Sequence, residues 1–496
     1  MKNISFKSKN WVALAVLLLI ITSTQFMSCK KFLEKPIDER TSLSSLEEIE
    51  KAIIGLTPHT DHNFTDFMSD DYSYKDIAGH VNRDMAERLA PIFTFDITKR
   101  SVARIEMNLS GFNPSTSFLR YYFRINNACL LIDRVNKIEK NATNEKRIDN
   151  VLAHAYAIRA YCNFMLTNLF GKQYDTATAE SDLAVPFIGE YNANAIVNRP
   201  RATVAFMYNE VEKDWLEALK LIDEQNTVTN TKMYFSKKAI YALLSRMYLN
   251  KKQWDKSIEY ADLLLAIDSR PLPIKTIRNN TVNRSEDYSR QYFDPANAAI
   301  LMVGGNTFQT ISFVNSGYYP YPFMQSYNGM GSGFGDYLAD EMIMSSILFQ
   351  DKMPVKFLYF NVAARQLPTL PIVTVDEVIF NRVEAAVEKE GTLSTDSKTK
   401  LSNILDNLNF TPAATTRYKN EVNAVTTKPA AIAVILKIKR NRFFAEGMRW
   451  FDIKRHKLQV THNYDGIDFK IDGTNAEDYV IKLPAEEIQF NPDSNK

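Results

Sequence analysis

Apolar residues recur every three or four positions through the middle of this chain. In "TSFLRYYFRINNACLLIDRVNKI" they fall at 118, 119, 122, 125, 129, 132 and 135, one broad stripe along a helix. "IDNVLAHAYAIRAYCNFMLTNLFG" keeps that period and stops at Gly171, a residue type that often ends helices. "RATVAFMYNEVEKDWLEALKLI" predicts a third helix, and "SKKAIYALLSRMYLNKKQWDKSIEYADLLLAI" predicts two more joined by a polar turn. Upstream, "LEEIEKAIIGL" has the same spacing, with Ser44 or Ser45 as cap and Glu47 or Glu48 near the capping-box position.

Elsewhere the pattern breaks. Residues 58–110 read as polar and aromatic loop. After Pro271 comes loop, a short strand at 299–303, then the Gly-, Pro- and Tyr-rich stretch "SGYYPYPFMQSYNGMGSGFGDYLADEM". Residues 346–430 look mixed, with short strands such as "PIVTVDEVIF"; helical spacing returns at 431, and "YVIKLPAEEIQFNPDSNK" reads as a strand and a Pro-punctuated tail. The predicted organisation is a helical scaffold over 46–270 interrupted near 58–110, an irregular ligand-facing subdomain over 271–430, and a closing segment over 431–496.

The last helix pair of the scaffold resembles a tetratricopeptide repeat, through Tyr241, Leu244, Ser245, Tyr248 and Ser257. The two serines are small enough to let the helices approach closely, and Tyr248 fills the groove beside them. With the helices before it, this predicts a superhelical array of antiparallel pairs.

The N-terminus changes the compartment. Lys2, Lys7 and Lys9 precede the apolar run "WVALAVLLLII", too short for a membrane span of roughly 20 residues. It reads as a signal-peptide core within residues 1–28. Cys29 follows as in a lipobox, which predicts lipidation there and a polar tether over 29–45; the alternative is ordinary cleavage with Cys29 a bystander. Cys129 and Cys162 lie in apolar helical stretches and read as buried free thiols, without His or Cys partners at metal-ligand spacing.

Charge then narrows the reading of one conspicuous stretch. "KRNRFFAEGMRWFDIKRHK", residues 439–457, interleaves seven Lys or Arg with four aromatics, a mix that fits a nucleic-acid surface. Yet the chain has 60 Lys plus Arg against 58 Asp plus Glu, without the basic excess of a nucleic-acid binder. On a helix, Glu446, Arg449, Asp452 and Arg455 stand three apart, which predicts a ladder of ion pairs, while Phe444, Met448 and Phe451 share a core-facing side.

These pieces together resemble the SusD/RagB family of substrate-binding lipoproteins. The resemblance rests on "CKKFLEKPIDE", on Asn126 and Asn127, on Arg159, Ala160, Phe164, Phe170 and Gly171, and on Leu243, Arg246, Tyr248 and Leu249. Its most specific part is Glu446, Gly447, Arg449, Trp450, Asp452, Ile453 and Arg455, and it closes on "LPAEEIQFNPD". The family usually carries acids at the positions of Ile438 and Arg442, so the stretch reads as having lost its balancing carboxylates. The resemblance implies a mainly α fold, a right-handed tetratricopeptide-like scaffold with a packed irregular subdomain. It also implies capture of an oligomeric glycan, or of peptides, above a SusC-like TonB-dependent transporter at the outer membrane, without catalysis or cofactor. A repeat-based scaffold binding proteins on the periplasmic side is the other reading.

Sugars stack on flat aromatic faces. Trp11, Trp215, Trp254 and Trp450 all lie outside the long irregular regions, so tyrosine must serve. The expected ligand-facing rings are Tyr318, Tyr319, Tyr321, Phe323 and Tyr327, with Tyr72 and Tyr74 as a second group. "HTDHNFTDFMSDD", residues 59–71, has no defined cation-binding spacing and reads as a solvated acidic loop. No Gly-x-Ser-x-Gly, His-Glu-x-x-His or phosphate loop occurs.

Overall fold

The computed structural model describes residues 43–74, 87, 90–95, 114–192, 198–223, 231–280, 285–305, 318–320, 344–345, 352–353, 369–444 and 446–495. The chain divides into two units, residues 1–48 and 49–496. A reciprocal capping box opens helix α1, Leu46–Gly55. The Ser45 N–H donates to Glu48 Oε2 at 3.1 Å and the Glu48 N–H to Ser45 Oγ at 3.3 Å.

The predicted helices of the scaffold all form: α2 (Pro114–Val135), α3 (Glu145–Phe170), α4 (Val204–Leu221), α5 (Lys237–Asn250) and α6 (Trp254–Leu265). Helix α3 packs against both α2 and α4, so it is buried nearly all round from Val151 to Phe170. Arg159 crosses from α3 to meet Asp214 of α4 in a two-pronged pair at 2.7 Å. The buried stripe of α2 runs through Phe118, Tyr121, Ile125 and Cys129. Leu119 was expected in that stripe but is 63% exposed, as α3 covers one side of α2 only. Gly171 ends α3 without the left-handed conformation usual for glycine caps. Its φ is −103°, and glycine is required there because a Cβ would lie 2.8 Å from the Thr167 carbonyl oxygen and 3.1 Å from Ala184.

Helices α5 and α6 touch through the two predicted serines. Ser245 Oγ donates to the Ser257 carbonyl at 3.1 Å, and Ser257 Oγ to the Ser245 carbonyl at 2.9 Å. Tyr248 stacks on Tyr260 beside them. Both thiols, Cys129 and Cys162, are free and buried.

Beyond the scaffold the structure is more helical than predicted. After α7 (Ile274–Asn280) and α8 (Ser285–Tyr292), helices α9 (Val375–Glu390), α10 (Thr395–Asn407) and α11 (Pro412–Ala424) occupy what read as mixed sequence, and α12 (Lys428–Arg442) forms where helical spacing was predicted to return. Each of the first three starts at a hydroxyl cap, Thr374, Ser394 and Thr411, accepting the N–H three residues on. "PIVTVDEVIF" therefore splits at Thr374, its first part strand and its second part helix. Arg246 ties α5 to α9 through the Glu377 carboxylate, one contact at 2.6 Å.

The strands pair two by two. Strand β1 (Tyr72–Tyr74) pairs with β5 (Tyr318–Pro320), β2 (Leu183–Pro186) with β3 (Arg201–Thr203), and β4 (Ile300–Gly305) with β8 (Thr369–Thr374). The pair β6 (Met344–Ser345) and β7 (Lys352–Met353) is shorter. A hairpin of β9 (Val460–Tyr464) and β10 (Ile467–Ile471) turns at Asp465 and Gly466, both at positive φ, 50° and 83°. Short helices α13 (Arg449–His456) and α14 (Ala485–Phe490) complete the chain, and no strand forms over 479–484, where one was predicted.

Because Ser257 sits at the closest approach of α5 and α6, Ser257→Leu is expected to destabilise the protein by about 1–3 kcal/mol through overpacking. Ser257→Ala is expected to cost about 1 kcal/mol for one hydrogen bond. Urea unfolding of the two variants checks the order.

Candidate functional site

Two stretches far apart in the sequence meet in the folded protein. Residues 59–71 were expected to be a solvated acidic loop, but Asp61, Asp66 and Asp71 are 1%, 2% and 0% exposed. Carboxylates enter a core only when cations and donors meet them there. Arg440, 369 residues on from Asp71, donates from Nε to Asp71 Oδ1 at 2.6 Å and from Nη2 to the Asp70 carbonyl at 2.5 Å. Arg449 meets the Asp70 carboxylate fork to fork at 2.8 and 2.9 Å. The Gly447 N–H donates to Asp66 at 3.1 and 3.2 Å. Asp61 turns towards α2, accepting from Arg120 at 3.2 Å and Arg124 at 2.9 Å.

The basic motif is thus three pieces: the end of α12, a turn, and α13. Gly447 makes the turn at φ 73°, where a Cβ would stand 2.9 Å from Asn63 Oδ1 and 3.0 Å from His62. The predicted ladder on one continuous helix is broken by that turn. Its Asp452–Arg455 step forms at 2.9 Å, while Arg449 reaches Asp70, and Glu446 accepts from the Tyr292 hydroxyl at 2.7 Å and from Arg442 at 3.2 Å. Arg442 has not lost its balancing acid. Asp376 at the start of α9 lies 2.6 Å away, with both side chains 1% exposed. Lys439 pairs with Asp452 at 2.8 Å and Arg455 with Glu384, one contact at 2.9 Å. Trp450 is fully buried against Tyr479. Most of the aromatics and cations that looked like a nucleic-acid surface are therefore buried or half-buried, with Lys457 left exposed.

Burial alone would raise these carboxyls. At Asp70 the hydrogen bond from Arg449 and the charge of Arg440 outweigh it and hold the group below its usual value. Arg455 and His456 do the same more strongly for Glu384. At Asp71 burial wins over Arg440 and the carboxyl is raised. Burial also keeps His59 and His62 neutral, down to about 4 and about 3. Lys454 is the exception among the cations, because its Nζ is held by carbonyl oxygens, those of Asn168 and Gly171 at 2.6 Å each, at the end of α3. Burial lowers it to about 7.

Of the tyrosines expected on the ligand face, Tyr72 and Tyr74 are buried at 6% and 9%. Phe67 and Phe444 flank the Tyr72 ring at 4.8 and 6.5 Å, and Tyr464 lies 4.4 Å from Tyr74. Their rings pack inward beside the basic motif and offer no open face. Antiparallel pairing sets Ser73 opposite Tyr319 and Tyr74 opposite Tyr318, so Tyr318 and Tyr319 share a sheet with Tyr72 and Tyr74. Tyr321, Phe323, Tyr327 and Cys29 lie outside the described residues. Among the described residues no group of three or more His, Cys, Asp or Glu is placed to hold a metal ion.

Besides a shallow surface depression along α11, lined by Pro412, Thr416 and Asn420, two spaces bear on the site. A small cavity of about 40 Å³ touches Arg246, Glu377, Asn381, Lys439, Asp452 and Arg455. It suits a few waters, at roughly 10–15 Å³ each, and no sugar. An open groove of about 420 Å³ lies between α2, the segment after β2, and α14. Sequence periodicity missed it because it placed Leu119 in the core.

Gly447→Ala is expected to destabilise the protein by about 2 kcal/mol or more, since it adds a left-handed strain and a clash. Lys454 gives a pH signature. The unfolded state binds its proton up to the ordinary lysine value of 10.5 and the native state only up to about 7. Stability therefore rises with pH between those values. In urea unfolding, the wild type is expected to gain on Lys454→Met from pH 7 to pH 10.

Comparison with known proteins fits this geometry. Residues 31–249 match the SusD-like family described as starch-binding and associating with the outer membrane. No curated protein matches. A SusD superfamily protein from Bacteroides fragilis superposes with a TM-score of 0.67 at 18% identity, covering 92% of this chain and 100% of its own. Another, from Bacteroides thetaiotaomicron, gives 0.66 at 19%, covering 91% and 99%. A SusD-like carbohydrate binding protein from Bacteroides vulgatus gives 0.67 at 15%, covering 91% and 97%. Residues 31–249 thus match this family in sequence, and solved SusD superfamily proteins share the fold along more than nine-tenths of this chain.

Proposed function

We propose that this protein captures an oligomeric glycan at the outer membrane and passes it, unaltered, to a SusC-like TonB-dependent transporter. The observation that carries this is the match of residues 31–249 to a family described as starch-binding and outer-membrane-associated. The likeness in fold to a carbohydrate binding protein supports the ligand class. Among the described residues no helix is long and apolar enough to cross a membrane. Attachment through a lipid on Cys29, with the body on the cell surface, accords with that. Tyr318, Tyr319, Tyr321 and Tyr327 line the ligand face in this reading, on and after the strand paired with β1.

A binding screen of the full chain in detergent against polysaccharides and peptides tests it. Saturable binding of a glycan that is not cleaved over hours is expected, weakened about tenfold, or about 1.4 kcal/mol, by Tyr319→Ala with Tyr321→Ala. Binding of peptides alone, or degradation of the bound glycan, contradicts the proposal.

A further inference from the structure

The open groove beside α2 has the chemistry of a sugar subsite and is lined by none of the tyrosines of β5. Its apolar wall is Leu119, Tyr122 and Tyr191, of which Leu119 is 63% and Tyr191 37% exposed. Its polar rim includes Asn126, Glu190, Arg199 and Glu487. At about 420 Å³ it falls in the usual size range of small-molecule sites, roughly 300–1,000 Å³.

Its walls are fixed before any ligand arrives. Asn491 accepts from the Arg199 N–H at 2.9 Å and donates back to the Arg199 carbonyl at 2.8 Å and to Glu487 at 2.7 Å, which pins the end of α14 against the segment leading to β3. The Tyr122 hydroxyl is held by the Pro186 carbonyl at 2.5 Å, so this residue offers its ring to the groove. Fixed walls lower the ordering cost of binding. Charge then selects the ligand. Two carboxylates, Glu190 and Glu487, are matched by two guanidiniums, Arg199 on the rim and Arg134 5.8 Å from the Tyr191 ring centre, so the groove exchanges hydrogen bonds with hydroxyls and offers uronic acids and sulfate esters no net attraction.

We infer that this groove binds a short stretch of a neutral oligosaccharide, with CH faces against Tyr122, Tyr191 and Leu119 and hydroxyls on Glu190, Asn126 and Arg199. The inference rests on the saccharide reading above and adds a site and a charge class to it.

The test titrates the full chain in detergent with maltohexaose, cellohexaose, mannohexaose and xylohexaose, and with oligogalacturonic acid and chondroitin sulfate as anionic probes. Binding of a neutral hexaose is expected, with Tyr191→Ala lowering affinity at least tenfold and Glu190→Gln about threefold. Both residues are exposed, so urea midpoints are expected to stay at the wild-type value. If a neutral hexaose binds and both variants match the wild type, the groove assignment is overturned and the saccharide reading stands. If no saccharide binds the wild type, both fail. Tighter binding of the anionic probes overturns the charge argument.

Discussion

The pairing of Asp71 with Arg440 sets the condition for the rest of the described core. Asp71 is completely buried, and a carboxylate cannot be left there alone. The segment 59–71 therefore folds inward only when residues 439–449 are beside it to supply Arg440, Arg449 and the Gly447 N–H. The same segment reaches α2 through Asp61, so one short stretch joins the first helices of the scaffold to the last. Ion pairs of this kind contribute little net stability, because desolvation offsets attraction. Their effect is on geometry: each wrong packing leaves a charge uncompensated in the interior.

That view explains why the basic motif is so rich in charge although most of it is buried. Arg442, Arg455 and Lys439 each find a carboxylate contributed by α9 or α13. The motif fastens α9, α12 and α13 to the scaffold.

Much of this was legible in the chain where the deciding contacts are close in sequence. Ser245 and Ser257 are twelve positions apart, and their reciprocal bonds follow from a local repeat. The Ser45–Glu48 capping box is local as well. Local signals were also present and overlooked: Thr411 before Pro412 and Asp465 before Gly466 mark a helix start and a hairpin turn. What could not be read was burial decided by distant partners. Residues 59–71 have the composition of a solvated loop, and nothing nearby in sequence announces that guanidinium groups 369 and more positions away will meet them. For the same reason Tyr72 resembled a free ring, although Phe444 closes one side of it. The ladder from Glu446 to Arg455 failed because helical spacing was assumed across Gly447, where the backbone turns.

A double-mutant cycle on Asp71 and Arg440, measured by urea unfolding, addresses the central claim directly. If the pair holds the two stretches together, Asp71→Leu and Arg440→Met each destabilise, and the double variant recovers part of the loss, with a coupling of about 0.5–3 kcal/mol. Additive losses with no coupling would contradict the account and return the basic stretch to the surface role its composition first indicated.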